Sequence, residues 1–417
     1  MYIRGMRQEN IFSMLILLSI STAGCDRTYG VQACRMEHEI VLAGSANTPE
    51  DVSVVALETG RYAAVYSVDG ATYGVFFDNE GHSVSPPLIV PRRLGEKPLD
   101  DTLRKSAASK TFWPNRETVS IHAVDIDTIV LNGSTVAAAL LARPTPVSAG
   151  GAFLVLLNEE GVQRNVALGP AGEYASRISL VADEEDIIVA WHDGMLSGSR
   201  VRLARLDRKS RVVAKREILK NDSASPALAM SDGQPAMAWS ETVAGDRGGK
   251  STIKVALFSK DLDLDSGRTV ATSRFVYPSP SLSASRNGFA LLFRDDEDGD
   301  ETPEYHFLAL SSAGKITGDR ERISTSDGLR GPTLVESGDG FIGATIRSFQ
   351  RNLLIGLNRL DGRGRKMGGE FQVYADKSDF VRVDIAERGG KVVIVYAEER
   401  HDRGRVLAGT VTCSPRQ

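Results

Sequence analysis

A unit of about fifty residues recurs down this chain, most legible as an apolar run that ends in aromatic-x-acid. It reads Val189-Ala190-Trp191-His192-Asp193, Met237-Ala238-Trp239-Ser240-Glu241, Leu291-Leu292-Phe293-Arg294-Asp295 and Ile394-Val395-Tyr396-Ala397-Glu398. A regular repeat constrains architecture before any single motif does, because each unit must stack on a neighbour to bury its apolar face. Counted by the large apolar residue two before the acid, the unit occurs seven times, at Tyr66, Leu141, Trp191, Trp239, Phe293, Ile346 and Tyr396. The separations are 75, 50, 48, 54, 53 and 50, and removing a polar insertion of 27 residues, 91–117, brings the first to 48. A second apolar position, Leu180, Leu228, Leu282 or Ile385, precedes its anchor by eleven residues, and Leu334 precedes Ile346 by twelve.

Inside the unit the signals are those of strands. Short apolar or alternating runs are divided by turn sequences such as Asp232-Gly233, Asn287-Gly288 and Asp339-Gly340, with Asp78-Asn79-Glu80-Gly81 and Asn158-Glu159-Glu160-Gly161 after third strands. Pro226, Pro280 and Pro332 sit where first strands begin, where a missing N–H is tolerated. The fifth unit shows the whole meander, with strands expected over 281–285, 289–294, 305–310 and 315–323. No unit holds a long 3.6-residue period, which excludes a helical solenoid. Four antiparallel strands in each of seven units predict an all-β, seven-bladed β-propeller, with six or eight blades as the neighbouring counts. The strand Met36–Ala43 lacks a unit of its own, and the last unit stops after its third strand, 405–412. The N-terminal strand is therefore expected to complete the last blade and close the ring.

Composition suits such a body: 417 residues, 41% hydrophobic and 25% charged, can bury a large core. A net charge of −4 supplies no basic footprint for nucleic acid, and Arg363-Gly364-Arg365-Lys366 reads as a solvated turn. A monomer is expected.

The N-terminus carries a different message. Arg4 and Arg7 precede an apolar run, Ile11–Ile20, about half the length a bilayer requires. This is the pattern of a signal peptide, 1–24. Its end, Ser21-Thr22-Ala23-Gly24-Cys25, resembles the lipobox of bacterial lipoproteins, although Thr22 stands where that motif usually has Leu. The resemblance implies cleavage before Cys25, lipidation of that cysteine and a membrane-anchored protein of the bacterial cell envelope, with the leaflet left open. Asp26–Ala33 would form a tether reaching at most about 30 Å. Of the three cysteines, Cys34 and Cys413 then remain to pair in an oxidising compartment. They bracket the propeller, 34–413, ahead of a short tail, 414–417, so a disulfide between them would staple the closure.

Topology indicates where function lies. In a four-stranded meander the loops between strands two and three share one face with the connections between blades. Loops 143–151, 192–199, 241–251 and 295–304 and the insertion 91–117 all fall on that face, which is the expected working surface. In the insertion, Asp100 and Asp101 can cap a short helix through Ala108, followed by Phe112-Trp113-Pro114. Trp113 is the candidate contact there, as a lid or as a rim-packed aromatic.

The acids Asp193, Glu241, Asp295 and Glu398 close second strands on the same face and are the candidate catalytic or binding carboxylates. Repetition argues equally that they accept structural hydrogen bonds. Aromatic-x-acid followed by a loop and a strand also resembles the repeats of secreted bacterial propellers of undefined function, in units three, four, five and seven. Asp296, Asp298 and Asp300 have the alternate spacing that lets carboxylates converge on Ca²⁺, yet Glu301 stands where an EF-hand-like loop would have Gly. The six histidines are dispersed without metal-ligand spacing. Gly-x-Ser-x-Gly, Cys-x-x-Cys and the sialidase Asp-box are missing, and Ser251-Thr252-Ile253-Lys254 leads into a strand rather than the helix its motif needs. No cofactor is implied beyond possible Ca²⁺. The leading expectation is a non-enzymatic envelope lipoprotein that presents its long-loop face to a protein or glycan partner. The alternative is a secreted propeller hydrolase or lyase acting on carbohydrate through the strand-end carboxylates.

Overall fold

The computed structural model describes residues 34–91 and 121–413, apart from segments 145–149, 196–197, 219–222, 243–249, 260, 265–266, 276–277, 297–302, 326–330, 339, 350–351, 375–378 and 401–402. The signal peptide, the lipid-modified cysteine, the tether, the C-terminal tail and the insertion from 92 onward, with Asp100, Asp101 and Trp113, lie outside the described residues.

Seven four-stranded antiparallel sheets form the ring, and six are plain meanders. Their innermost strands are Asp51–Ala56, Asp125–Leu131, Ile178–Ala182, Ser223–Ser231, Ser281–Ser285 and Thr333–Ser337, for blades one to six. Blade seven starts at Asp379–Arg388, and its outermost strand is the N-terminal segment Cys34–Ser45, paired antiparallel with Arg403–Cys413. The expected closure is thus the observed one.

The repeat works as an apolar spine. All seven anchor residues lie on second strands and are at most 3% exposed, and Leu180, Leu228, Leu282, Leu334 and Ile385 are buried on first strands. Facing sheets share these side chains: one core joins blades two and three around Leu141, Leu180 and Trp191, and another joins six and seven around Ile346, Ile385 and Tyr396. No blade could bury its anchor alone, so the ring is the smallest structure that satisfies all of them.

Two details differ from expectation. Loop 192–199 is mostly strand, since Asp186–Met195 continues to a Met195↔Gly198 pairing; the Asp-Gly pair read as a loop is absorbed into the ladder. The fifth blade's outer strand begins only at Glu321. Ile316 first makes a single bridge to Leu310, and the chain then bends through Gly318 and Asp319 before pairing resumes. Blades one, four and six repeat this with bridges Phe77↔Ser83, Phe258↔Leu264 and Leu360↔Lys366. Outer edges face water, so Gly and polar residues interrupt them with little cost in burial.

Candidate functional site

The strand-end acids are committed within their own blades. Asp193 Oδ2 accepts from Arg202 Nε at 2.7 Å while its Oδ1 accepts the Gly172 N–H at 3.0 Å. Glu241 pairs with Lys254 at 2.6 Å and accepts the Trp239 indole N–H at 2.9 Å. Asp295 pairs with Arg320 and accepts the Arg274 N–H at 2.7 Å; this holds its carboxyl below the usual range against the opposing effect of burial. Glu398 is bound by Arg405, and Arg347 with Glu370 forms the same kind of pair in blade six. Each acid anchors the base of its own loop. Asp298 and Asp300 lie outside the described residues, among which no group of three or more His, Cys, Asp or Glu could hold a metal ion.

The structure gathers a different set. Three residues before each buried Leu or its counterpart, where the inner strand enters from the loop-bearing face, the blades carry in order Asp51, Asp125, Arg177, Ser225, Ser279, Gly331 and Arg382. One side of the channel mouth is therefore charged, from blade seven through blade three. The other side is small and neutral. The first strand of a meander starts on the face that carries the two-to-three loops, so this ring opens among them.

Two of these acids brace the ring. Asp51 Oδ2 accepts the Ile126 N–H of blade two at 2.6 Å, and Asp125 Oδ2 accepts the Ile178 N–H of blade three at 2.6 Å. Asp51 Oδ1 also meets Arg382 Nε at 3.0 Å. Burial and the neighbouring Asp125 charge push the Asp51 carboxyl up to about 8, and burial raises Asp125 as well. The two carboxyls act on one another, so ionising one makes it harder to ionise the other.

A second ring lies two residues deeper. Asp384 accepts from Ser53 Oγ and the Val54 N–H, both at 2.8 Å, and Ser53 Oγ meets Thr128 Oγ1 at 2.8 Å. Asp127 accepts from Ser179 Oγ at 3.0 Å and the Leu180 N–H at 2.8 Å, and Ser179 Oγ accepts the Leu228 N–H at 3.1 Å. Burial raises Asp127 to about 6 and Asp384 to about 7. These chains tie blade seven to one and two, and blade two to three and four.

Around the mouth, His122 Nε2 sits 3.5 Å from Glu50, and Arg143 Nε donates to the Ala175 carbonyl at 2.8 Å. His192 Nδ1 meets Ser176 Oγ at 2.9 Å. Tyr174, on the connection into blade three, is 55% exposed. The inner strands enclose a cavity of about 550 Å³, lined by Asp51, Asp127, Arg177, Arg382 and Asp384 together with aliphatic side chains. The sequence carried a signal for this ring in the register of the buried leucines, three residues upstream. Read blade by blade it is invisible, because no single residue type runs through the seven positions.

No family model matches the sequence, and no curated protein matches it. Solved structures do resemble it. The polysaccharide lyase Uly1 is 10% identical with a TM-score of 0.49, covering 85% of this chain and 88% of that one. A Penicillium chrysogenum α-L-arabinanase complexed with arabinobiose is 11% identical with a TM-score of 0.49, covering 90% and 98%. A puromycin hydrolase mutant is 14% identical with a TM-score of 0.50, covering 84% of this chain and 50% of that one. At these identities the likeness is one of fold alone.

Proposed function

We propose that this is a carbohydrate-active propeller working at the channel mouth on its loop-bearing face. The observation that carries the reading is the buried Asp51 carboxyl in the lining of a polar cavity of about 550 Å³, with the buried Asp125 carboxyl close enough to raise it. Cleaving a glycosidic bond needs one carboxyl that still holds a proton for the leaving oxygen and a second that is ionised beside the sugar. In this reading Asp51, whose carboxyl holds its proton toward pH 8, is the acid and Asp125 is the second carboxyl. Tyr174 offers an exposed ring beside the mouth on which a sugar face can lie. The strand-end acids Asp193, Glu241, Asp295 and Glu398 take no part in this reading, because they do not line that cavity.

A purely binding role is the second reading. It is favoured by the backbone N–H that each mouth carboxylate already accepts, as a blade brace would. Cleavage assays on a panel of neutral and acidic polysaccharides separate the two. Asp51→Asn and Asp125→Asn are expected to lower turnover by at least about a hundredfold, while Glu241→Gln keeps it. Should either variant unfold, the pH–rate profile of the native chain serves instead, falling as pH rises through about 8. Binding of a glycan without turnover would leave the binding reading; turnover lost in Glu241→Gln but kept in Asp51→Asn would end the proposal.

For location, we propose export and attachment to a bacterial envelope membrane through lipid on Cys25. The support is the apolar run and lipobox-like sequence before it. The mass of the mature N-terminal peptide tests this, and an unmodified residue 25 would end it.

A further inference from the structure

We infer that the guanidinium of Arg177 anchors a carboxylate or sulfate group on the ligand, so that the mouth takes an acidic saccharide; this rests on the glycan reading above. The argument begins with what the other arginines on this face do. Arg202, Arg320, Arg347 and Arg405 are each fastened to a carboxylate of their own blade, and Arg382 is 3.0 Å from Asp51. Arg177 differs from them. Among the described residues its guanidinium makes no hydrogen bond, and the nearest carboxylate oxygen, Asp125 Oδ1, is 3.9 Å away. Asp125 has turned its other oxygen to the Ile178 N–H instead. Yet the arginine is not a solvated surface group, for its side chain is only 30% exposed and Nε is buried without a partner.

Its direction supports the same conclusion. Arg177 leaves blade three and reaches across the channel mouth, where a Cβ built on Gly331 at the entry to blade six would lie 3.8 Å from Nη1. The guanidinium thus ends near the wall where the ring is uncharged. A planar fork of N–H donors in a partly desolvated site matches an oxyanion that can accept two of them at once. Local charge is mixed, since Asp51, Asp125, Asp127 and Asp384 all act on Arg177 while Arg382 adds a second positive charge. His122 and Arg143 stand at the rim on the same side.

The test is calorimetric binding of trigalacturonic acid, its fully methyl-esterified form and a sulfated neutral trisaccharide to the native chain, to Arg177→Met and to Arg177→Lys. The acid is expected to bind at least about tenfold more tightly than the ester, with an advantage that shrinks as salt is raised. Arg177→Met should remove that advantage while leaving ester binding in place, and Arg177→Lys should restore part of it. Tight binding of the sulfated sugar alone would identify sulfate as the group recognised. Equal binding of all three to the native chain would overturn the inference and leave the glycan reading standing. Should no ligand of this set or of the polysaccharide panel bind, the glycan reading falls and the inference with it. If Arg177→Met does not fold, the acid-to-ester ratio in Arg177→Lys decides, and an unchanged ratio counts against the inference.

Discussion

A buried carboxylate next to a loop has two uses, and its place relative to the cavity separates them here. Asp193, Glu241, Asp295 and Glu398 each meet a cation and most also accept an N–H, which fixes the loop base away from the cavity lining. Removing one partner of such a pair leaves a buried charge, so these residues weigh on stability rather than on turnover. The neighbouring His192 is informative in a different way. It is 3% exposed, Nδ1 meets Ser176, and burial pushes its pKa down to about 4. Between about pH 6.5, where the unfolded imidazole protonates, and 4, the unfolded chain binds a proton that the folded chain does not. Stability from this residue is therefore complete above pH 6.5 and lost as pH falls toward 4. Thermal melts across that range should show wild type losing ground to His192→Gln as the solution is acidified; a difference independent of pH would mean that the imidazole protonates freely in the fold.

Elements were legible in proportion to how much apolar surface they bury. Second strands stood out because Trp191, Phe293 and Tyr396 bury large side chains between blades, and inner strands followed from their leucines. The outer strand expected over 315–323 begins later, at Glu321, because it faces solvent and is interrupted at Gly318 and Asp319, where no periodicity is enforced. The ring at the channel mouth escaped for a related reason: its seven residues come from seven different blades, and only closure brings Asp51, Asp125 and Arg177 together. The hairpin turns were legible, but their sequences did not reveal how unequal they are. Gly288 has φ +132° and a Cβ there would lie 2.3 Å from the Leu310 carbonyl oxygen, a backbone atom unable to move aside. Gly233 has φ +72° with nothing within 4 Å. Gly288→Ala is expected to destabilise by about 3 kcal/mol and Gly233→Ala by about 1 kcal/mol, from strain at positive φ in both and a clash only in the first. Urea unfolding measures the difference, and equal losses would show that the third strand of blade five yields.

At the scale of the whole molecule the ring must be held shut, and the closing blade is where its two ends meet. Several contacts already do this without a covalent bond: Tyr396 donates to Glu39 at 2.5 Å on the N-terminal strand, Thr410 to the Asn79 carbonyl at 3.3 Å, and Asp384 bridges blade seven to Ser53 and Val54 of blade one. The backbone register also sets Cys34 directly opposite Cys413. Directly opposed residues of an antiparallel pair have Cα atoms about 4.5 or 5.5 Å apart, and both values fall within the range a disulfide spans. In an oxidising compartment the two thiols would pass two electrons and two protons to a disulfide-bearing oxidant and join, enclosing nearly the whole propeller in one loop. A loop of that length corresponds to roughly 4 to 5 kcal/mol in the chain-entropy picture. Digestion of the exported protein without reductant should yield a peptide linking Cys34 to Cys413. Cys34→Ser with Cys413→Ser should lower the unfolding midpoint while leaving a folded ring, because the non-covalent contacts remain. Two free thiols in the exported protein, or a double variant as stable as wild type, would place ring closure entirely in the strand pairing.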